Sequence, residues 1–270
     1  MNTMSIPTTN EEWATIITSI RDSLPKTFTN RPAPAPSSIP GAIDHTLLGL
    51  SATESEIDTL CAEAKEYKFA SVCVRVNHVR RAVENLKDTP EVCVAAVVGF
   101  HEGTYRTAEK VDEALEAVNQ GASELDMVLN YPLLKEGKFV DVYEDILAVR
   151  KAAPSPVKLK VILETSQLDR DQIVAGSVIS CLSGADFVKT STGFNGPGAT
   201  VENVSLMRAT VDALGKGCKV KASGGVRTAE DCVRMLQAGA DRIGASAGVK
   251  IAKQLAGDAS VEGSSAVGGY

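Results

Sequence analysis

The feature that most constrains this chain is an alternation. From residue 42 to about residue 250, short apolar runs are each followed by a helix-length amphipathic segment, eight times over. Strands and helices in strict alternation are the pattern of βαβ units, because parallel neighbours need a crossover long enough to hold a helix. The strand candidates are residues 42–44, 71–75, 92–98, 124–129, 157–163, 186–189, 219–222 and 242–244. Eight such units predict an α/β fold, a single closed (β/α)8 TIM barrel, with an open doubly wound sheet as the other arrangement this alternation allows.

Local signals agree with that reading. Ile57, Leu60, Cys61 and Ala64 fall on one helix face, as do Val111, Ala114, Leu115 and Val118. Ser51 with Glu54, and Thr228 with Asp231, have the spacing of side-chain caps at helix starts. Gly121-Ala122, Gly184-Ala185 and Gly239-Ala240 each stand between a helical segment and a strand, which predicts left-handed glycines closing three helices. Ahead of the barrel, Trp13, Ile16, Ile17 and Ile20 line one face of a short helix expected to dock on the main body. Residues 31–40, RPAPAPSSIP, cannot continue a helix and read as an extended linker. The chain thereby divides into an N-terminal helical extension at 1–40, a barrel at 41–256 and a Gly/Ser/Ala-rich, flexible tail at 257–270.

Composition narrows the function. The 28 basic and 34 acidic residues give a net charge of −6, with no basic run, so neither nucleic acid nor an anionic membrane is the expected partner. The six cysteines form no C-x-x-C pair, no stretch approaches a membrane span, and the N-terminus lacks the layout of a secretory signal. A cytoplasmic protein with reduced thiols, acting on a small molecule, is the expectation.

A barrel interior is ordinarily filled by branched apolar side chains, so ionisable residues inside strands need a reason. Asp126, Lys160, Lys189 and Lys221 lie within or at the end of four successive strands, and in a closed barrel they converge near the C-terminal mouth. Crowded, desolvated ammonium groups lose protons more readily, and a neutral lysine attacks a carbonyl to form a Schiff base. Such an iminium draws electrons from the neighbouring carbon–carbon bond, and Asp126 is placed to relay protons. The competing reading of Lys160 and Lys219 is that they open their strands and extend to solvent at the barrel bottom. These residues alone do not say which lysine is the nucleophile.

A second signal is the pair of loops after strands seven and eight. Gly224 and Gly225 in Ser223-Gly224-Gly225-Val226-Arg227, and Gly244 and Ser246 in Gly244-Ala245-Ser246-Ala247, leave backbone N–H groups open to an anion where barrels commonly bind phosphate. The loop that follows Lys189 brings Thr192 and Gly193, and Asp44, Thr46 and Cys73 sit at strand ends on the same side. Thr46, Cys73, Lys160, Thr192 and Gly193 join the two loops as candidate substrate contacts. No histidine pair has metal-ligand spacing and no G-x-G-x-x-G opens a helix, so neither a metal nor an organic cofactor is expected.

The segments Phe187-Val188-Lys189-Thr190-Ser191-Thr192-Gly193-Phe194 and Lys221-Ala222-Ser223-Gly224-Gly225-Val226-Arg227 resemble the two lysine motifs of the deoxyribose-phosphate aldolase family. Glu124-Leu125-Asp126-Met127-Val128 resembles its aspartate strand, and the likeness runs from Ile43-Asp44-His45-Thr46-Leu47 to Gly244-Ala245-Ser246. The resemblance implies a metal-independent class I aldolase that cleaves 2-deoxy-D-ribose 5-phosphate into glyceraldehyde 3-phosphate and acetaldehyde, in deoxyribose phosphate catabolism. It further implies that Lys189 forms the Schiff base, Lys221 lowers its pKa, Asp126 moves protons and the terminal Tyr270 assists. Two departures stand out: Phe194 replaces a lysine that some members carry near the phosphate, and Gly99-Phe100-His101-Glu102-Gly103 replaces a proline-containing loop. Such barrels commonly associate symmetrically, so a homodimer or other homo-oligomer is expected. A phosphate-binding barrel isomerase and a non-catalytic sugar-phosphate binding protein are the alternatives, and neither has a use for the whole Asp126, Lys189 and Lys221 set.

Overall fold

The computed structural model describes residues 5–257. Tyr270 and the segment 258–269 lie outside the described residues. Eight parallel strands close on themselves in sequence order, β1 pairing with both β2 and β8. They are β1 (Ile43–Thr46), β2 (Ser71–Val74), β3 (Cys93–Val98), β4 (Glu124–Val128), β5 (Lys158–Ile162), β6 (Phe187–Lys189), β7 (Lys219–Ser223) and β8 (Arg242–Ala245). Every predicted strand is present, with ends displaced by at most two residues. The closed order excludes the open sheet.

The helices are α1 (Asn10–Ser23), α2 (Glu54–Tyr67), α3 (Val79–Leu86), α4 (Thr107–Asn119), α5 (Tyr131–Lys135) and α6 (Phe139–Ala152), followed by α7 (Arg170–Leu182), α8 (Val201–Leu214), α9 (Ala229–Gln237) and α10 (Gly248–Leu255). Thr228 caps α9 as expected, its side chain accepting from the Asp231 N–H. The cap of α2 differs: Thr53 and Glu56 form the reciprocal box, and Ser51 lies ahead of the helix. Gly121, Gly184 and Gly239 adopt φ of +103°, +86° and +113°, so all three stop their helices in the left-handed conformation.

The N-terminal helix docks where its apolar face required. Trp13, Ile17 and Ile20 are buried as α1 packs on α6, α7 and α8, and burying such side chains stabilises by about 1.5–3 kcal/mol each. This contact explains the composition of α7, whose residues Ile173 to Cys181 are all buried. Barrel strands cover one side of that helix and α1 the other, so it has no wide polar stripe.

Apolar side chains fill two separate volumes. The larger lies between strands and helices and holds Ile43, Val72, Leu125, Leu159 and Val188. The smaller lies inside the barrel and is built from Leu48, Cys73, Ala95, Val97, Phe100, Val128 and Ile162. Because side chains alternate along a strand, Asp126 shares the inward face with Val128, and Lys160 shares it with Ile162. One part of the interior is therefore apolar, while the rest is charged.

Candidate active site

The charged part is built by period-two alternation on five strands. Asp44 comes from β1, Glu124 and Asp126 from β4, Lys160 from β5, Lys189 from β6 and Lys221 from β7. The five other than Lys189 are at most 3% exposed, and Lys189 is 4% exposed. Lys160 Nζ donates to Asp126 Oδ1 at 2.8 Å and lies 2.5 Å from Glu124 Oε2. Lys189 Nζ and Lys221 Nζ both donate to Asp126 Oδ2, at 2.6 and 2.7 Å. Lys221 Nζ also donates to Asp44 Oδ2. Gly244 on β8 makes room for this: a Cβ there would stand 2.8 Å from Ser223 Cβ and 3.0 Å from Lys221 Cε.

These contacts separate the lysines. Burial lowers the pKa of Lys189, Asp126 opposes it, and the neighbouring Lys221 ammonium reinforces the fall, so the net direction is down. Burial acts on Lys221 the same way, but Asp126 and Asp44 outweigh it and the net direction is up. Lys160 is likewise raised, as Asp126, Asp44 and Glu124 overcome desolvation. Burial alone would raise the Asp126 carboxyl; Lys160, Lys189 and Lys221 together hold it well below the carboxylate range. Of the three lysines, Lys189 is thus the one driven toward the neutral amine.

Lys189 is also the one that faces open space. A cleft at the C-terminal mouth is lined by Thr46, Lys189, Thr192 and Gly193 together with the loops at 223–227 and 244–246. Thr46, Thr192, Gly193, Gly224, Gly225, Gly244 and Ser246, read from the sequence as substrate contacts, all border it. Thr46 Oγ1 donates to the Asp44 carbonyl at 2.9 Å. The Thr192 hydroxyl donates to Glu164 and accepts from the Phe194 N–H at 3.1 Å, so its proton is committed within the protein.

Two expected substrate contacts do not border the cleft. Lys160 is fully buried beside Asp126, neither reaching substrate space nor extending to solvent, because three carboxylates surround it. Cys73 is fully buried with its Sγ 4.0 Å from Asp126, and burial pushes its thiol up to about 11, which leaves it protonated. Lys219 does begin its strand exposed, its Nζ lying 5.8 Å from the centre of the Phe187 ring.

Several residues were missed by the sequence reading. Arg242, at the start of β8, reaches Asp44 Oδ1 at 2.6 Å and Glu124 Oε1 at 3.2 Å. Glu124 carried a legible signal, standing two positions before Asp126 on the same strand face. Glu164, just past β5, is buried in a left-handed conformation at φ +58°. Its carboxylate, raised by burial, accepts from Thr192 and Asn195 and ties down the loop after Lys189. Lys110 on α4 is fully buried, paired with Asp145 at 2.6 Å, and donates to the Val128 carbonyl at 3.1 Å, supporting the end of β4.

Comparison with known proteins bears on this geometry. The family model described as DeoC/LacD family aldolase matches residues 40–255. A deoxyribose-phosphate aldolase of Coccidioides immitis (strain RS) is 60% identical over 247 residues, covering 91% of this chain and 92% of its own. Deoxyribose-phosphate aldolase 1 of Staphylococcus aureus (strain MRSA252) is 53% identical over 216 residues, covering 80% and 96%. Among solved structures, a Coccidioides immitis crystal structure gives a TM-score of 0.89 at 58% identity, covering 94% of this chain and 99% of that one. The deoxyribose phosphate aldolase from Aeropyrum pernix, described as a tetramer, gives 0.74 at 31% identity, covering 89% and 97%. The family match and these relatives make the chain an aldolase, a lyase, and among the described residues the cleft of its closed barrel is lined by one lysine, Lys189. The chain belongs to the DeoC/LacD aldolase family.

Proposed function

We propose that this enzyme is a class I aldolase that cleaves 2-deoxy-D-ribose 5-phosphate reversibly into D-glyceraldehyde 3-phosphate and acetaldehyde. The observation that carries the reading is that Lys189 combines access to the cleft with a lowered pKa and an immediate carboxylate partner, Asp126 at 2.6 Å. The names of its relatives support the substrate.

In this mechanism the neutral Lys189 amine attacks C1 of the open-chain sugar, and loss of water leaves an iminium. The C3 hydroxyl gives up its proton to a base. The C2–C3 bond then breaks, its electron pair flowing toward the iminium nitrogen to give an enamine, and glyceraldehyde 3-phosphate departs as an aldehyde. Protonation of the enamine at C2 and hydrolysis of the new iminium release acetaldehyde and regenerate the amine. Asp126, alone or through water, is the group nearest Lys189 for these proton transfers. Lys221, held cationic by Asp126 and Asp44, lowers the pKa of Lys189 and so favours its neutral amine.

The substrate phosphate is assigned to the Gly224-Gly225 and Gly244–Ser246 loops, which border the cleft together with Arg227. Phe194 also borders the cleft and brings no charge to it. Catalysis is proposed to need no metal and no organic cofactor, to occur in the cytoplasm in deoxyribose phosphate catabolism, and to be performed by a homo-oligomer. Among the described residues no helix is long and apolar enough to cross a membrane.

The test is a coupled assay of glyceraldehyde 3-phosphate and acetaldehyde formation from 2-deoxyribose 5-phosphate. Equal release of both products is expected. Saturable binding without turnover would overturn the proposal in favour of a binding protein.

A further inference from the structure

The ion pairs beneath Lys189 close into a ring. Arg242 contacts Asp44, Asp44 contacts Lys221, Lys221 contacts Asp126, Asp126 contacts Lys160, Lys160 contacts Glu124, and Glu124 returns to Arg242. Cations and anions alternate throughout, three of each. The ring is neutral by itself, and Lys189 hangs from it at Asp126 as a fourth cation without a fourth carboxylate.

We propose that the Glu124–Arg242 pair, which never borders the cleft, sets the protonation of Lys189 from across this ring. These two are positioning residues for the nucleophile's charge, whereas Lys189 itself touches substrate. Two chains of contacts join Arg242 to Lys189, one through Asp44, Lys221 and Asp126, the other through Glu124, Lys160 and Asp126. The interior members are dry, so Coulomb interactions across them are weakly screened. Arg242 is the member that approaches solvent, its side chain 17% exposed. The other ionisable groups facing Lys189 are Asp126 and Lys221 within the ring, with Cys73 and Glu164 outside it. Burial keeps the Cys73 thiol neutral, and Glu164 is engaged with Thr192.

The sign of each perturbation follows from charge balance. Removing the Glu124 carboxylate leaves the ring with net positive charge and disfavours protonated Lys189. Removing the Arg242 guanidinium leaves net negative charge and favours it. Neither substitution strands a neighbour: Lys160 keeps Asp126, Asp44 keeps Lys221, and Glu124 and Arg242 each retain one partner when the other is removed.

The inference rests on the Schiff-base reading of Lys189, and its test separates the two. The pH dependence of kcat/KM for 2-deoxyribose 5-phosphate cleavage is measured for wild type, E124Q, R242Q and R242K, each verified as folded by circular dichroism. Wild-type protein is reduced in parallel with borohydride in the presence of substrate. The acid limb is expected to move down by about half a pH unit or more in E124Q and up by a similar amount in R242Q. R242K, which keeps the cation, is expected to leave it in place. Because the two neutralising variants shift the limb in opposite directions, either one that folds reads the sign. Unshifted limbs, or shifts of the same sign, overturn the inference while the Lys189 adduct is still observed; absence of that adduct overturns the underlying mechanism instead.

Discussion

Lys189 donates to Asp126 Oδ2 at 2.6 Å, on the same oxygen that Lys221 holds at 2.7 Å. Two ammonium groups cannot share one carboxylate oxygen in a dry interior at equal advantage. Lys221 has Asp44 as a second partner, so Lys189 is the one whose pKa falls. The proposed nucleophile is therefore set apart by what it lacks relative to its neighbour.

The same asymmetry makes Lys189 a burden on the fold. Its folded-state pKa lies below its unfolded value of 10.5, so over the interval between the two the unfolded chain binds more protons and stability falls as pH drops. K189M removes both the nucleophile and this penalty, and Asp126 keeps Lys160 and Lys221. Turnover is expected to fall by at least about three orders of magnitude, while Tm at pH 7 rises by about 2–4 °C, the effect of 1 kcal/mol in a domain of this size. A calorimetric scan beside the activity assay checks both; a fall in Tm contradicts the charge argument.

Asp126 acts in the opposite sense. Its carboxyl sits well below the ordinary aspartate value of 3.8, so its stabilising contribution is present above about pH 4 and is lost as pH falls further. D126N leaves three lysines short of a shared partner, and a broken buried ion pair costs about 3–5 kcal/mol. The urea midpoint of D126N is expected to be lower at pH 6 and to decline less steeply than that of wild type between pH 6 and 3. Parallel declines would mean that Asp126 is not the carboxylate responsible.

The cleft depends on a close passage of two loops. A Cβ on Gly224 would stand 2.9 Å from the Gly198 Cα, and Gly224 has φ +83°. G224A is expected to displace the loop carrying Thr192 and Gly193. We expect KM for 2-deoxyribose 5-phosphate to rise about tenfold, corresponding to roughly 1.4 kcal/mol, with a smaller rise for unphosphorylated 2-deoxyribose. Steady-state kinetics on both substrates check this, and equal rises would remove the 224–225 loop from phosphate binding.

Tyr270 is assigned to proton transfer by family resemblance. Deleting it is expected to lower kcat several-fold, by removing a positioned general acid or base, with little change in KM. A change confined to KM would assign it to substrate capture.

Much of this architecture was legible in the sequence because alternation and glycine stops are local signals. The strand bearing Asp126 and the strand bearing Lys189 were placed within one residue, and Gly184 closes its helix as read. Register is not local. Lys160 was placed at the cleft because its strand pointed there, but where it sits along the barrel axis depends on strand register, which sets it beside Asp126 and opposite Phe187, two positions short of Lys189. Arg242 and Glu124 begin their strands, where a charged residue ordinarily meets solvent; only closure of the barrel turns them toward each other. Glu164 gave no sequence signal, since nothing in an apolar run followed by Glu-Thr announces a left-handed residue. The helix start at Thr53 in place of Ser51 is a competition between neighbouring hydroxyl caps that each have an acid three positions on, and it is Thr53 with Glu56 that forms the box.

The central claim is that Lys189 forms the covalent intermediate, and borohydride reduction during turnover tests it most directly. The enzyme is treated with 2-deoxyribose 5-phosphate and sodium borohydride, digested, and mapped by mass spectrometry. The account predicts a reduced adduct on the peptide containing Lys189, and none after K189M. An adduct on Lys221 would keep the reaction class and reverse the roles of the two lysines, contradicting the charge asymmetry described here; no adduct on any lysine would contradict the Schiff-base mechanism itself.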